Sequence, residues 1–466
     1  MNHTAQRRGA YHPRMFPHGR PLPYSFNPLE ALRRWPAQRP VVMLHSGRFD
    51  AQWSRYSLLA EPVGAMVHRD RQSAWIGEGP SQPAPLKHDP FGDLDAALTR
   101  DASLYVGHLG YELAHAIEAL PHNAAADHGW PDMQFQRCPN FLVYDHSDET
   151  WQAVGPNPES LPDLSSSSIA PDALAFESSQ PRPDLARADH EAAVQRGLEY
   201  IAAGDVFQVN LAQRFTAEFE GSTRGVFLQL AQASPAWYGA YLELLEPDGH
   251  PPRRVACSTS PELFLQLDDD GRVTTRPIKG TRPADVDPNE LRDAEKDTAE
   301  LNMIIDLLRN DLGRVCDYGS VRVTQPRTVE SHPTVHHGVA TVTGQLHESR
   351  SLRHLLRATF PGGSITGAPK VRAMQIIDEL EPVARGPYCG AIGYAQQKQD
   401  RPTARLNIAI RTLLIDREAK RLHFSVGGGI VADSDPAEEY DETLHKAQAM
   451  LQALKKPPTP QASQPR

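Results

Sequence analysis

The chain has 466 residues, is 39% hydrophobic and carries a formal net charge of −10. That length holds one large domain or several average ones, and the acidic balance without a long basic run excludes a general nucleic-acid binder. No window approaches the ~20-residue apolar run that spans a bilayer. The first residues, MNHTAQRRGAYHPRMFPHGR, carry charge without an apolar leader core, so the expected location is the cytoplasm. Cys138, Cys257, Cys316 and Cys389 lie far apart, with no C-x-x-C pair or metal-ligand rhythm, and are expected as reduced thiols. No G-x-C-x-G elbow is present, so this chain has no cysteine glutaminase of its own and any ammonia comes from elsewhere.

Residues 1–20, rich in arginine and histidine, and 456–466, rich in proline, are expected to be disordered tails. Between them, residues 156–186 have the composition of a linker or surface excursion, dividing an N-terminal region (21–155) from a larger body (187–455). In TTRPIKGTRP (274–283) a strand ends at Pro277 and is followed by Lys279, Gly280, Thr281 and Arg282. A lysine there that loses its water becomes a nucleophile or base, whereas most lysines are simply exposed. Residues 294–314 place Leu301, Ile304, Ile305, Leu308 and Leu312 on one helical stripe, a core-facing helix. His336 and His337 follow in a β-like run, where each is either a proton carrier or a satisfied strand histidine.

FPGGSITGAPKVRAMQIIDEL (360–380) is a glycine-rich loop entering a helix with Val371, Met374, Ile377 and Leu380 on its apolar side. The helix start suits a carboxylate or phosphate, and a tight turn that simply needs glycine fits equally well. It is not a Walker loop. Residues 404–416 and 421–431 alternate and predict a hairpin, with Arg411 on a polar face as a carboxylate clamp or a surface ion pair. A last helix is predicted from Asp435 as cap, Pro436 at its first position and Glu438 closing a capping box, with Tyr440, Leu444, Ala447 and Leu451 facing inward. Asp297 with Glu300, and Glu439 with Glu442, lie three apart on their helices. Such pairs fit either oxygen ligands for magnesium or ordinary solvated helix faces. Mixed strands and helices without repetition suggest an α/β or α+β body.

The ordered set SPELF, PIKGT, DTAELNMIIDLLRNDLGR, HPTVHH, FPGGSITGAPKVRAMQIIDELEP, GPYCGAIGY, IAIRT, GGGIVADSDP and EEYDET resembles the chorismate-binding enzyme family over residues 187–455. LPYSFNPLEALRRW and LHSGRFDAQWSRYSLLAEP are similar to the N-terminal region of its anthranilate and aminodeoxychorismate synthase members. The resemblance implies an α+β fold of the anthranilate synthase component I type, two β-rich layers covered by helices. It also separates branches: anthranilate and isochorismate synthases carry alanine in P-I-A-G-T, aminodeoxychorismate synthases carry lysine, and this chain has Lys279.

On that resemblance, Glu300, Glu439 and Glu442 hold Mg2+, while Arg411, Tyr388 and the Gly427, Gly428 and Gly429 backbone hold the carboxylates of chorismate. Lys279 attacks ring carbon 2, Glu262 assists departure of the hydroxyl at carbon 4, and ammonia enters there and expels the lysine. Gly280, Thr281, Arg282, His337 and Ser364 match positions lining the pocket, Asp297 matches a supporting acid, and Ser46 matches a tryptophan site in relatives. Two segments depart from the pattern: RPADVDP after PIKGT, and SPAWYGAYL, which matches N-P-x-P-[FY] only partially. The implied partner is a glutamine amidotransferase subunit supplying ammonia, and the implied product is aminodeoxychorismate. The rival expectations are anthranilate synthase component I, identified by pyruvate release, and a non-catalytic chorismate- or tryptophan-binding subunit.

Overall fold

The computed structural model describes residue 16 and residues 19–81, 85–165, 171–247, 249–331, 335–399 and 401–455. Within them the strands form two antiparallel sheets, one of 13 strands and one of 11. Val42, Leu58, Leu104, Val106, Phe141, Leu242, Ile392 and Leu414, drawn from both sheets, pack together as the core between them. Helices Pro28–Arg34, Thr223–Ala233 and Pro436–Ala453 cover the outer face of the first sheet, over Phe215, Phe424, Leu413 and Ile415. Glu295–Gly313, Leu352–Thr359 and Lys370–Leu380 cover the second, over Phe264, Leu265, Val273 and Ala340. Each sheet buries both faces, so Leu413, Leu414 and Ile415 are apolar in succession: odd and even positions enter different cores. The expected α+β architecture, two β layers covered by helices, is the one observed.

The segment 156–186 does not separate independently folded units. Val42–His45 pairs with Tyr238–Glu243, and Leu104–Leu109 pairs with Ala391–Lys398, so each sheet is closed by strands from both sides of it. The segment itself is tethered: Phe176–Ser178 and Arg182–Pro183 add to the strand Gln208–Gly221, and Leu164 is buried. Of the expected tails, 456–466 and most of 1–20 lie outside the described residues, but Phe16 is buried, its ring edge-on to Tyr56 and Phe141.

The predicted helices form with local differences. Glu295–Gly313 buries all five residues of its stripe, with Glu295 and Asp297 in its first turn, where carboxylates interact favourably with the helix dipole. In Pro436–Ala453 the Asp435 carboxylate accepts from the Ala437 and Glu438 N–H groups. Its buried residues are Tyr440, Thr443, Ala447, Met450 and Ala453, leaving Leu444 and Leu451 half-buried at the margin. In Lys370–Leu380 the buried face is Ala373, Met374, Ile376 and Ile377, and Val371 is exposed.

The hairpin expected from 404–431 forms only in its second half. Arg401–Ile408 belongs to the second sheet, the chain crosses at 409–411, and Thr412–Asp416 joins the first sheet, pairing with Arg421–Ile430. Alternation continues through the crossing because both strands are buried, so periodicity alone does not reveal the change of sheet.

Candidate active site

Two chain crossings and one turn at the seam between the sheets build the site. Ser260 ends a strand of the first sheet and Leu263 begins one of the second, so Glu262 stands in the step between them. The 409–411 crossing lies alongside: Ile408 N–H donates to the Glu262 carbonyl at 3.0 Å, and Thr259 N–H to the Arg411 carbonyl at 3.1 Å. The turn carrying Tyr388 joins them, since Cys389 N–H donates to the Ala409 carbonyl and Ala409 N–H to that of Gly390, each at 3.0 Å. Glu262, Tyr388 and Arg411 therefore reach one region from irregular backbone held by two sheets. Arg411 adopts φ +51°, a conformation unusual outside glycine.

Lys279 enters from a fourth direction. Its strand, Ile278–Pro283, pairs with Val335–Gln345 in a register that slips between Ile278↔Val339 and Thr281↔His337, so one extra residue bulges out. A bulge re-aims its side chains. Gly280 within it has φ +79°, and a Cβ there would come within 2.7 Å of Leu291 and 2.8 Å of Asp297, so glycine is required. Arg282 is committed to Asp297 at 2.8 Å, an ion pair that ties the bulge to helix Glu295–Gly313. Thr281 Oγ1 lies 2.9 Å from Nδ1 of the buried His337. His336 instead contacts Ser331 Oγ and the Ala284 carbonyl, as a satisfied strand histidine does.

The lysine has only 11% of its side chain exposed, and its Nζ lies 3.9 Å from Glu300. Burial pushes its pKa down, partly opposed by Glu300, Glu262 and Glu442 and reinforced by Lys446. Glu262 moves the other way: burial raises it from 4.5 to about 7, against the Ser364 hydroxyl, Lys279 and the Ile278 N–H. The Ser364 hydroxyl donates to it at 2.6 Å. Delivering Ser364 is the observed task of the 360–380 loop. Its glycines serve close approach, since a Cβ at Gly362 would meet Ile408 at 2.6 Å and one at Gly363 would meet Leu307 at 2.1 Å. At the start of the helix that follows, Lys370 reaches Asp311 at 2.6 Å.

Burial likewise lowers the pKa of Arg411, and no carboxylate among the described residues pairs with its guanidinium. A shielded cation without a counterion is available to an anionic ligand. Tyr388 is 4% exposed. Gly427, Gly428 and Gly429 face Ala212, Leu211 and Asn210 across the ladder. A Cβ at Gly428 would come 2.8 Å from Glu439, and one at Gly429 would come 3.1 Å from the Lys279 Nζ. What these glycines contribute is room for those side chains to close on the strand.

Glu300 projects from helix Glu295–Gly313, and Glu439 and Glu442 from Pro436–Ala453. Burial raises Glu300, with Asp297 and Glu442 adding and Lys279 and Lys296 opposing. Burial also raises Glu439, whose carboxylate accepts from Ser434 at 2.7 Å. Glu442 loses part of its hydration, though its side chain stays half exposed, and the Lys446 ammonium at 2.6 Å outweighs this and holds it below the ordinary value. Among the described residues no three His, Cys, Asp or Glu side chains converge as a metal cage. The donor set is nevertheless that of a hard cation: carboxylates from two helices, two of them raised by burial and by neighbouring negative charge.

One residue of the site carries no signal in the sequence. Gln208 is fully buried, and neither polar atom of its carboxamide has a partner among the described residues. Its Nε2 would be 2.1 Å from a Cβ at Gly429, the same point that lies 3.1 Å from the Lys279 Nζ, so amide and amine are neighbours. Nothing in QVNLAQRF marks it; only the pairing with Gly429's strand does. Ser46 stands apart, in a pocket shared with His45, Tyr56, Trp237, Tyr238 and Asn407, and its hydroxyl donates to the Tyr56 carbonyl at 2.7 Å.

A desolvated lysine, a carboxyl group raised to about 7 and an arginine with no carboxylate partner among the described residues fit a site for a small anionic ligand. The profile of chorismate binding enzymes matches residues 44–452. Aminodeoxychorismate synthase component 1 of Escherichia coli (strain K12) is 38% identical over 438 residues, covering 89% of this chain and 93% of the relative. Anthranilate synthase component 1 1 of Haloarcula marismortui is 38% identical over 388 residues, covering 75% of each. Among solved structures, anthranilate synthase component I from Streptococcus pneumoniae TIGR4 aligns with a TM-score of 0.73 at 29% identity, covering 92% of this chain and 98% of that one. The chain belongs to the chorismate binding enzyme family, and within it to the aminodeoxychorismate and anthranilate synthase type.

Proposed function

We propose that the chain aminates chorismate at ring carbon 4, giving 4-amino-4-deoxychorismate, as aminodeoxychorismate synthase component I does. The observation that carries this is Lys279: buried, with its pKa lowered, and beside a carboxyl group near neutrality. Lowering the pKa of an amine enlarges its neutral, nucleophilic fraction, and a carboxyl group raised to about 7 can act as an acid near neutral pH. The Lys279 nitrogen forms a bond to carbon 2, the ring double bond shifts, and the carbon 4 to oxygen bond breaks. Glu262 gives its proton to the departing hydroxyl, which leaves as water. Ammonia then bonds to carbon 4, the double bond shifts back and the Lys279 nitrogen departs from carbon 2. The proton that ammonia loses returns to Glu262. Arg411 and Tyr388 bind the carboxylates of the substrate, His337 and Thr281 form a wall, and Ser364 holds Glu262 in place.

Glu300, Glu439 and Glu442 would hold Mg2+ on this reading, with Lys446 giving up Glu442. The ion would supply positive charge for a substrate carboxylate. Ammonia would come from glutamine through an amidotransferase subunit bound to this chain. On the resemblance, the pocket at Ser46 would be the tryptophan site.

The test is incubation of purified protein with chorismate, Mg2+ and ammonium salt, with products identified by mass spectrometry beside Lys279→Ala. Aminodeoxychorismate without pyruvate, lost in the variant, supports the proposal. Anthranilate with pyruvate assigns the other branch of the family, and no turnover favours a binding subunit.

A further inference from the structure

Glu112 lies far from Lys279 in sequence and on a short 3₁₀ turn, Tyr111–Ala116, of the N-terminal region. Its two carboxylate oxygens accept the backbone N–H groups of Arg385 at 2.8 Å and Gly386 at 3.0 Å. Tyr111 N–H donates to the Gly386 carbonyl at 2.7 Å, and the Tyr111 ring lies 4.6 Å beneath the Arg385 guanidinium. The 3₁₀ turn thus grips the start of the turn that carries Tyr388.

Arg385 extends the grip. It is 6% exposed, and its guanidinium donates to Glu381, to the Ile365 carbonyl at 2.9 Å and to the Asn210 carbonyl at 2.8 Å. Glu381 accepts in addition from Ala212 N–H at 2.9 Å. Ile365 is the neighbour of Ser364, which donates to Glu262, and Asn210 and Ala212 lie in the strand opposite Gly427–Gly429. One buried ion pair therefore joins the Tyr388 turn, the Ser364 loop and the strand of Gln208, with Glu112 fixing it from the side.

We propose that Glu112 and Arg385 are positioning residues, which set Tyr388 and Ser364 relative to each other and so align the carboxylate-binding and acid groups of the site. The roles of Tyr388 and Ser364 rest on the function proposed above, but the clamp itself does not. Arg385 is bonded to too many segments to be truncated safely, so Glu112→Gln is the variant of choice. It keeps the shape and one acceptor but turns the other oxygen into an amide donor facing an N–H.

Two measurements test it. Hydrogen exchange followed by mass spectrometry should show faster exchange over residues 385–390 in Glu112→Gln, with helix 295–313 unchanged; equal exchange overturns the clamp whatever the enzyme does. With chorismate and ammonium, Glu112→Gln should raise KM for chorismate about tenfold, and adding it to Tyr388→Phe should raise KM little further, since both act through one contact. Fully additive effects, or faster exchange with unchanged KM and kcat, overturn the positioning role. If wild type does not turn over chorismate, the functional reading has failed, and the exchange result still decides the clamp.

Discussion

Replacing Glu262 by glutamine preserves the side-chain volume and an acceptor for the Ser364 hydroxyl, but removes the group that titrates. Burial gives the folded carboxyl a pKa of about 7 against an ordinary 4.5. A raised acid holds its proton more tightly folded than unfolded, so its burden on stability is absent below 4.5, grows with pH and is complete above about 7. The gap, at ~1.4 kcal/mol per pH unit, amounts to about 3 kcal/mol. Glu262→Gln should therefore gain about 2–3 kcal/mol on wild type between pH 5 and pH 8, read as the change in the difference between urea midpoints. Amination should fall ~10²–10⁴-fold, because the amide cannot protonate the leaving hydroxyl. Wild-type kcat/KM should decline above about pH 7 as the acid ionises. Wild-type and variant urea midpoints that keep a constant difference from pH 5 to pH 8, or undiminished turnover, would refute the reasoning.

Lys279→Arg keeps the charge but cannot yield a free amine, so amination should drop at least as far as in Lys279→Ala, ~10³-fold or more; substantial activity in the arginine variant would remove the nucleophile from the mechanism. Ser364→Ala deletes a donor that favours the ionised form of Glu262, so the alkaline limb of the kcat/KM profile should move to higher pH, by about one unit. Arg411→Gln should raise KM for chorismate ~10²-fold while leaving thermal stability equal or higher, since it removes a partly buried cation with no carboxylate partner among the described residues. An unchanged KM would place the substrate carboxylate elsewhere. Glu300→Gln should weaken Mg2+ binding about tenfold by calorimetry without chorismate; equal affinity would remove it from the metal set.

Local chemistry determines much of this protein. The stripe from Leu301 to Leu312 specifies a helix wherever it packs, and Asp435 with Pro436 starts another because cap and first turn lie within three residues. Lys279 is visible as a lysine between a strand-ending proline and a glycine, and the resemblance over nine motifs points to Glu262, Ser364, Tyr388 and Arg411. What the sequence leaves open is decided by contacts between distant segments. Arg411 sits at a sheet crossing, which alternation conceals because strands on both sides are buried. Val371 has the spacing of a core residue and is exposed, because the body covers a neighbouring face of its helix. Gln208, Glu112 and Arg385 carry no local signature at all. The first is a partnerless amide only beside Gly429, and the other two form a clamp only when a turn near residue 112 meets one near 385. Periodicity and capping act within a few residues of chain, whereas burial, shifted pKa values and the alignment of a site depend on what the rest of the fold brings alongside.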